Sequence, residues 1–328
     1  MIAPFRCYLV QPHNLIRLNS DLKVTLLRLI QQYFPENFGM VDQTRLVRIL
    51  DLRQKMATAK KIIERLVGDA DKPAEQQAVA LRRLQEEDIG LVIGVNQQLG
   101  PDQFAKIFIR NQKIAIIKPG EAPQQIMHEY FVGMDMLKKH VFKQVELRGS
   151  GNLFNQLTLT LDRLLVGAYD SINPNNAKCS INLNVESVFT KAFQNFMGEG
   201  DNSVFANLVF EFRQANILQH FDEFGVAAEL IRSRGGSIAV DAIFPETVGV
   251  VNLSRLSANM AKIFWRNGAE SVLPKFRDEI AAMQAAGTLV VMARLDDELG
   301  LQVAHDLGIQ MFQGFYVDDL LAAQAKGD

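Results

Sequence analysis

From residue 104 to the C-terminus, short apolar runs and helix-like stretches alternate with a regularity that admits few folds. Strand-like runs occur at 180–184, 208–212, 237–243, 260–265, 289–294 and 311–317, with helical stretches at 186–196, 216–233, 270–286 and 296–307 between them. Apolar runs at 106–118 and 130–137 and a helix at 153–169 precede them. Strands separated by helices of roughly 10 to 15 residues are the pattern of βαβ units on a parallel sheet. Six or more such units over about 220 residues predict a closed (β/α) barrel, with an open doubly wound sheet as the alternative. The open sheet's usual mark is a glycine-rich loop between its first strand and helix. Gly149-Ser150-Gly151 and Gly235-Gly236 have neither its spacing nor the helix start that should follow.

The chain upstream reads differently. Residues 1–85 run strand, helix, strand pair, helix, which predicts a small α/β domain, and 86–103 predict a helical connector to the barrel at 104–328. The 328 residues carry 35 Lys and Arg against 37 Asp and Glu, a formal charge of −2, so the chain has no global basic field for a nucleic-acid polymer. The longest apolar stretch, near 89–95, is far short of the ~20 residues that a membrane span needs. Met1-Ile2-Ala3-Pro4 does not open as a signal peptide, so a cytoplasmic location is expected. Two distant cysteines and five scattered histidines have no metal-ligand spacing and imply neither a disulfide frame nor a His/Cys metal site.

The chemistry of a (β/α) barrel sits at the C-terminal ends of its strands. There this sequence places isolated polar residues in apolar company: Asn182 in SINLN, Glu211 in LVFEF, Asp241 in IAVDAI, Lys262 in MAKIFW and Gln313 in MFQGF. Asp135, Arg294 and Asp296 occupy similar positions. A charge buried in a strand costs several kcal/mol unless it is paired. Two readings follow from the residue types. One is a cluster of oxygen ligands with one lysine, suited to a hard cation and a phosphate. The other is an internal network of Lys262, Glu211 and Asp241 that satisfies the barrel mouth.

The succession of INLN at 181–184, LVFEF at 208–212, GGSIAVD at 235–241, Ala261-Lys262-Ile263, Leu307-Gly308 and Gln313-Gly314-Phe315 resembles the ordered motifs of EAL domains. Those are the barrels of cyclic di-GMP phosphodiesterases. The likeness covers about residues 104–328 and implies an EAL-like barrel. It also implies a site built on Asn182, Glu211, Asp241, Lys262 and Gln313, with Asp135 in place of the signature glutamate and Lys139 in place of the phosphate-gripping arginine. Family members hold two divalent metals with carboxylates spread over the strand ends.

Elsewhere the pattern departs. The family's paired aspartates read Asp241-Ala242, and its strand-seven acids read Ala293-Arg294-Leu295-Asp296. Alanine cannot ligate a cation, and Arg294 adds positive charge where the metals should sit. Residues 1–85 are similar in element order to a shortened GGDEF domain, with Val41-Asp42-Gln43-Thr44-Arg45 where the glycines and acids should stand. Without those glycines the backbone cannot approach a triphosphate. The expected function is therefore that of a non-catalytic signalling or scaffold protein that works through a protein partner or a homodimer, without cofactor. The alternatives are a cyclic di-GMP receptor that binds without hydrolysis and a residual phosphodiesterase, which alone would need Mg²⁺ or Mn²⁺.

Overall fold

The computed structural model describes residues 81–147, 151–199, 202–251, 253 and 256–327. All of them lie in one compact unit, Gln76–Asp328. The GGDEF-like reading of 1–85 falls almost wholly outside the described residues.

Eight strands close into a barrel. They are β1 (Ile109–Ile116), β2 (Gln124–Val132), β3 (Cys179–Leu183), β4 (Leu208–Arg213), β5 (Ser237–Ile243), β6 (Met260–Phe264), β7 (Leu289–Ala293) and β8 (Met311–Gln313). The order around the barrel is β8-β1-β2-β3-β4-β5-β6-β7. All neighbours are parallel except β1, which runs antiparallel to both β2 and β8. The loop from β1 to β2 contains Pro119 and Gly120, the latter at φ 78°, a turn conformation that costs glycine little. Because Ile109 pairs with Val132, β1 begins at the end of the barrel where the other strands finish.

The longer helices are α1 (Glu86–Phe108), α2 (Met134–His140), α3 (Asn152–Gly167), α4 (Lys191–Glu199), α5 (Phe221–Ser233), α6 (Arg277–Ala285), α7 (Glu298–Asp306) and α8 (Phe315–Gly327). Helical spacing decides which face each buries. In α5, Phe224, Ala227, Ala228 and Ile231 turn inward, and in α3 Leu157, Leu161 and Leu165 do. α1 is interrupted at Gly100, whose φ of 75° and ψ of 163° are not helical, immediately before Pro101.

Inside the barrel the alternation of each strand produces two layers. The lower one is apolar: Ile114, Met127, Val209, Ala239, Met260, Val291 and Met311 form a buried cluster of their own. Two residues further along their strands, the next inward positions are Glu129, Glu211, Asp241, Lys262 and Gln313, all buried. Ala293 holds the equivalent place on β7. Outside the wall, the main core packs the helices on the strands. A satellite core around Phe104, Phe108, Leu137, Phe142 and Leu161 joins α1, α2 and α3. Among the described residues no helix is long and apolar enough to cross a membrane.

Several element boundaries differ from the sequence reading: the helical stretches at 186–196, 216–233 and 270–286 are each divided, and two strand boundaries bear on the site. The apolar run at 130–137 is not one strand: β2 ends at Val132, and Gly133 turns the chain into α2. The run at 311–317 likewise divides, since Gly314 ends β8 and Phe315 opens α8. Gly314 sits at φ 154°, and a Cβ there would overlap the backbone of Leu295. Gly314→Ala is expected to lower unfolding stability by about 3 kcal/mol, measured by urea denaturation. A loss below about 0.5 kcal/mol, the usual effect of a neutral surface change, would contradict this packing.

Candidate functional site

Lys262 rises from the middle of β6 into the barrel and is 2% exposed. Its ammonium donates to Glu129 Oε2 at 2.6 Å and to Glu211 Oε2 at 2.7 Å, and it lies 4.0 Å from Asp241 Oδ1. Asn182 donates to Glu129 Oε1, and Gln313 donates to Glu129 Oε2. Six residues from β2, β3, β4, β5, β6 and β8 thus converge on one network at the polar layer. Both oxygens of Glu129 are engaged. Glu211 Oε1 and Asp241 Oδ1 are buried without a hydrogen-bond partner.

Three buried carboxylates facing one ammonium cannot all ionise freely. Burial raises the pKa of Glu211, and repulsion from Glu129 adds to it, so that this carboxyl is pushed up to about 8. Burial likewise raises Asp241, against the opposing pull of Lys262 and of a hydrogen bond from the Ala242 backbone. Burial opposes ionisation of Glu129 too. The attraction of Lys262 and the hydrogen bonds from Lys262, Gln313 and Asn182 outweigh it and hold Glu129 below its ordinary value. For Lys262, the three acids outweigh desolvation and raise the pKa, so the ammonium stays charged. The network therefore pairs a readily ionised Glu129 with the Lys262 ammonium, beside a Glu211 whose ionisation burial and repulsion oppose.

The strand ends around this network are shaped by local backbone geometry. The β5–β6 register shifts between Val240 and Ile243, and Ala242 within that bulge has φ 56°. Arg294, directly after β7, has φ 58°. Left-handed backbone at residues other than glycine carries strain of about 1–3 kcal/mol and gathers where side chains must be aimed. Ala242 directs Asp241 inward. Arg294 lies exposed with its guanidinium 4.0 Å from the centre of the Phe264 ring. The exit of β3 is fixed by Asp162 of α3, which accepts from the backbone and side-chain amides of Asn184 at 2.7 and 2.8 Å and from Ser187 at 2.6 Å. Burial lifts the Asp162 carboxyl to about 6 despite these donors.

Five of the positions singled out from sequence, Asn182, Glu211, Asp241, Lys262 and Gln313, are brought together. Asp135, Lys139 and Asp296 are not. Asp135 is an exposed residue in the first turn of α2, Lys139 is exposed near that helix's end, and Asp296 is exposed in the loop after β7. The barrel position expected for Asp135 is filled by Glu129, which the sequence reading did not single out. Its signal was the period of two in β2: Met127 points into the barrel, and Glu129 is the next inward residue.

No family model and no curated protein matches the sequence. Solved structures do. The S helix-GGDEF-EAL region of Vibrio cholerae LapD, bound to c-di-GMP, matches at TM-score 0.51 and 11% identity over 76% of this chain and 59% of that one. The Xanthomonas citri FimX EAL domain with c-di-GMP matches at 0.47 and 10%, over 70% and 93%. The Bacillus subtilis YkuI protein, with an EAL domain, in complex with c-di-GMP and calcium, matches at 0.45 and 16%, over 66% and 56%. This chain thus spans less than two thirds of the first of these. The closed eight-strand barrel has the fold of EAL domains.

The network makes two predictions. Lys262→Met leaves the acids unneutralised and should cost about 3–5 kcal/mol near neutral pH, with a smaller loss in acid as the carboxyls protonate. Glu211 has a folded-state pKa above its unfolded value. Its contribution is therefore full below about 4.5 and is lost as pH rises through about 8. Between those values Glu211→Gln should lose less stability than the parent protein in urea titrations, and parallel pH profiles would refute the assignment.

Proposed function

We propose that this barrel is a non-hydrolysing module of c-di-GMP signalling that acts by docking a protein partner at its mouth. The observation that carries the proposal is the state of the acids. A two-metal phosphodiester site needs carboxylates free to face two cations. Glu129 is engaged at both oxygens, and Lys262 already donates to both Glu129 and Glu211. At two strand ends where the EAL pattern has acids, Ala242 and Ala293 stand instead. The unpartnered Glu211 Oε1 and Asp241 Oδ1 are too few to complete such a centre, so the residues present do not fit it, and no step of catalysis is assigned to a metal.

The docking half of the proposal rests on the rim. Phe189, Leu218, Phe221, Phe244, Val250 and Phe315 are large apolar side chains exposed by 40% or more, and each follows the C-terminal end of a barrel strand. Contiguous exposed apolar patches mark interaction surfaces, and these six side chains all follow the same end of the barrel wall. A second reading is favoured by two observations. The intact polar layer and the Arg294–Phe264 stack would also suit c-di-GMP held without cleavage, the ligand present in the matched Vibrio cholerae structure.

Incubation with c-di-GMP and Mn²⁺ is expected to release no linear dinucleotide. A product that disappears in Glu211→Ala would overturn the non-hydrolysing reading. Calorimetric titration with c-di-GMP is expected to show no saturable binding, and micromolar or tighter binding would replace the docking reading by the receptor reading.

A further inference from the structure

A pocket of about 460 Å³ lies outside the carboxylate–lysine network, where α1 meets β1 and α2. That volume is in the range of small-molecule sites. Its floor is apolar, made by Val95 and Leu99 before the break in α1, Phe108 after it, and Met136 of α2. Phe108 belongs to the satellite core, and Val95 and Met136 pack against it, so that part of the floor is backed by packed protein, while Leu99 is exposed at the edge. The bend at Gly100-Pro101 sets the two halves of α1 apart in direction, which lets Leu99 and Phe108 line one concavity.

The charged groups of the lining, Lys106 and Arg110, have one sign. Lys106, Arg110 and His140 line the pocket, and no acidic residue does. Arg110 makes one weak hydrogen bond, to the Ile109 carbonyl at 3.5 Å, and neither it nor Lys106 has an ion pair among the described residues. Asp135 stands on the adjoining turn of α2, close to the Arg110 stem, without pairing with it. The His140 ring is held edge-on against Phe108, centroids 6.1 Å apart. An apolar floor with uncompensated cations at its edge complements a ligand with an apolar body and one anionic end. A neutral ligand would leave the cations unused, and a cationic one would be repelled.

We propose that this pocket binds a free amphiphilic anion, a single-chain alkyl carboxylate of medium length, with the chain on Leu99, Phe108 and Met136 and the carboxylate at Arg110 and Lys106. The ligand would touch both α1 and α2. The Phe108 carbonyl accepts from Gly133 N at 2.8 Å, which ties the pocket wall to the end of β2, four residues after Glu129.

The probe is decanoate, titrated into the full chain by calorimetry below its micelle concentration, beside decyltrimethylammonium and phosphatidylglycerol vesicles. Saturable binding of decanoate at one site is expected, with the cationic amphiphile at least tenfold weaker. Arg110→Glu and Lys106→Glu should each weaken decanoate binding by about tenfold, as loss of a charge-assisted hydrogen bond implies, while Arg110→Lys stays within a few-fold. Lys106 is exposed, so its variant keeps the test valid if the Arg110 variant fails to fold. Equal binding of the two amphiphiles, or variants that bind decanoate like the parent, would overturn the proposal. So would sedimentation with vesicles in the absence of decanoate binding, which would make the patch a membrane contact instead.

Discussion

The ammonium of Lys262 inside the barrel is the constraint around which the rest of the mouth is arranged. Taking that charge out of water costs several kcal/mol, which the structure offsets with two carboxylate contacts below 3 Å and a third acid at 4.0 Å. Those acids in turn need donors, and Asn182 and Gln313 supply them to Glu129 from β3 and β8. One buried cation therefore fixes the side chains of five neighbouring strands. The apolar layer beneath, from Met127 to Met311, closes the floor and keeps the network dry. A dry floor makes the pairing strong, and it also makes any missing partner costly.

Much of this was legible in the sequence because buried polar residues stand out in apolar strands. Asn182, Glu211, Asp241, Lys262 and Gln313 each interrupt a run of large apolar neighbours, and strand alternation sends all five the same way. Glu129 escaped notice because β2 is itself mixed: in QQIMHEYFV a glutamate does not stand out. The segment Gly133-Met134-Asp135-Met136-Leu137 then drew attention by its likeness to a motif. That likeness is one of letters, since Gly133 breaks the strand and places Asp135 on a helix facing solvent. Asp296 failed for a related reason, as β7 stops at Ala293 and the chain has left the wall by the time it arrives.

Two of the four left-handed residues other than glycine among the described ones, Ala242 and Arg294, show what periodicity cannot reveal. Neither residue type prefers that backbone, so no pattern predicts it, and both stand at strand ends beside the network. The bulge at Ala242 turns Asp241 toward Lys262, and the kink at Arg294 lays a guanidinium on Phe264. Strain of this kind persists where surrounding packing over-determines it. The strain at these two strand ends thus borders the polar network, and at one of them the side chain, that of Ala242, contributes no polar group.

The direction of β1 has a mechanical consequence. In a barrel with all strands parallel, the first strand would start at the closed floor, and a pull on its leading helix would be felt far from the chemistry. Here β1 starts at the open end, with Ile109 opposite Val132. α1 therefore joins the barrel at the rim, and its last residue, Phe108, is tied there to the end of β2 by the hydrogen bond from Gly133 N.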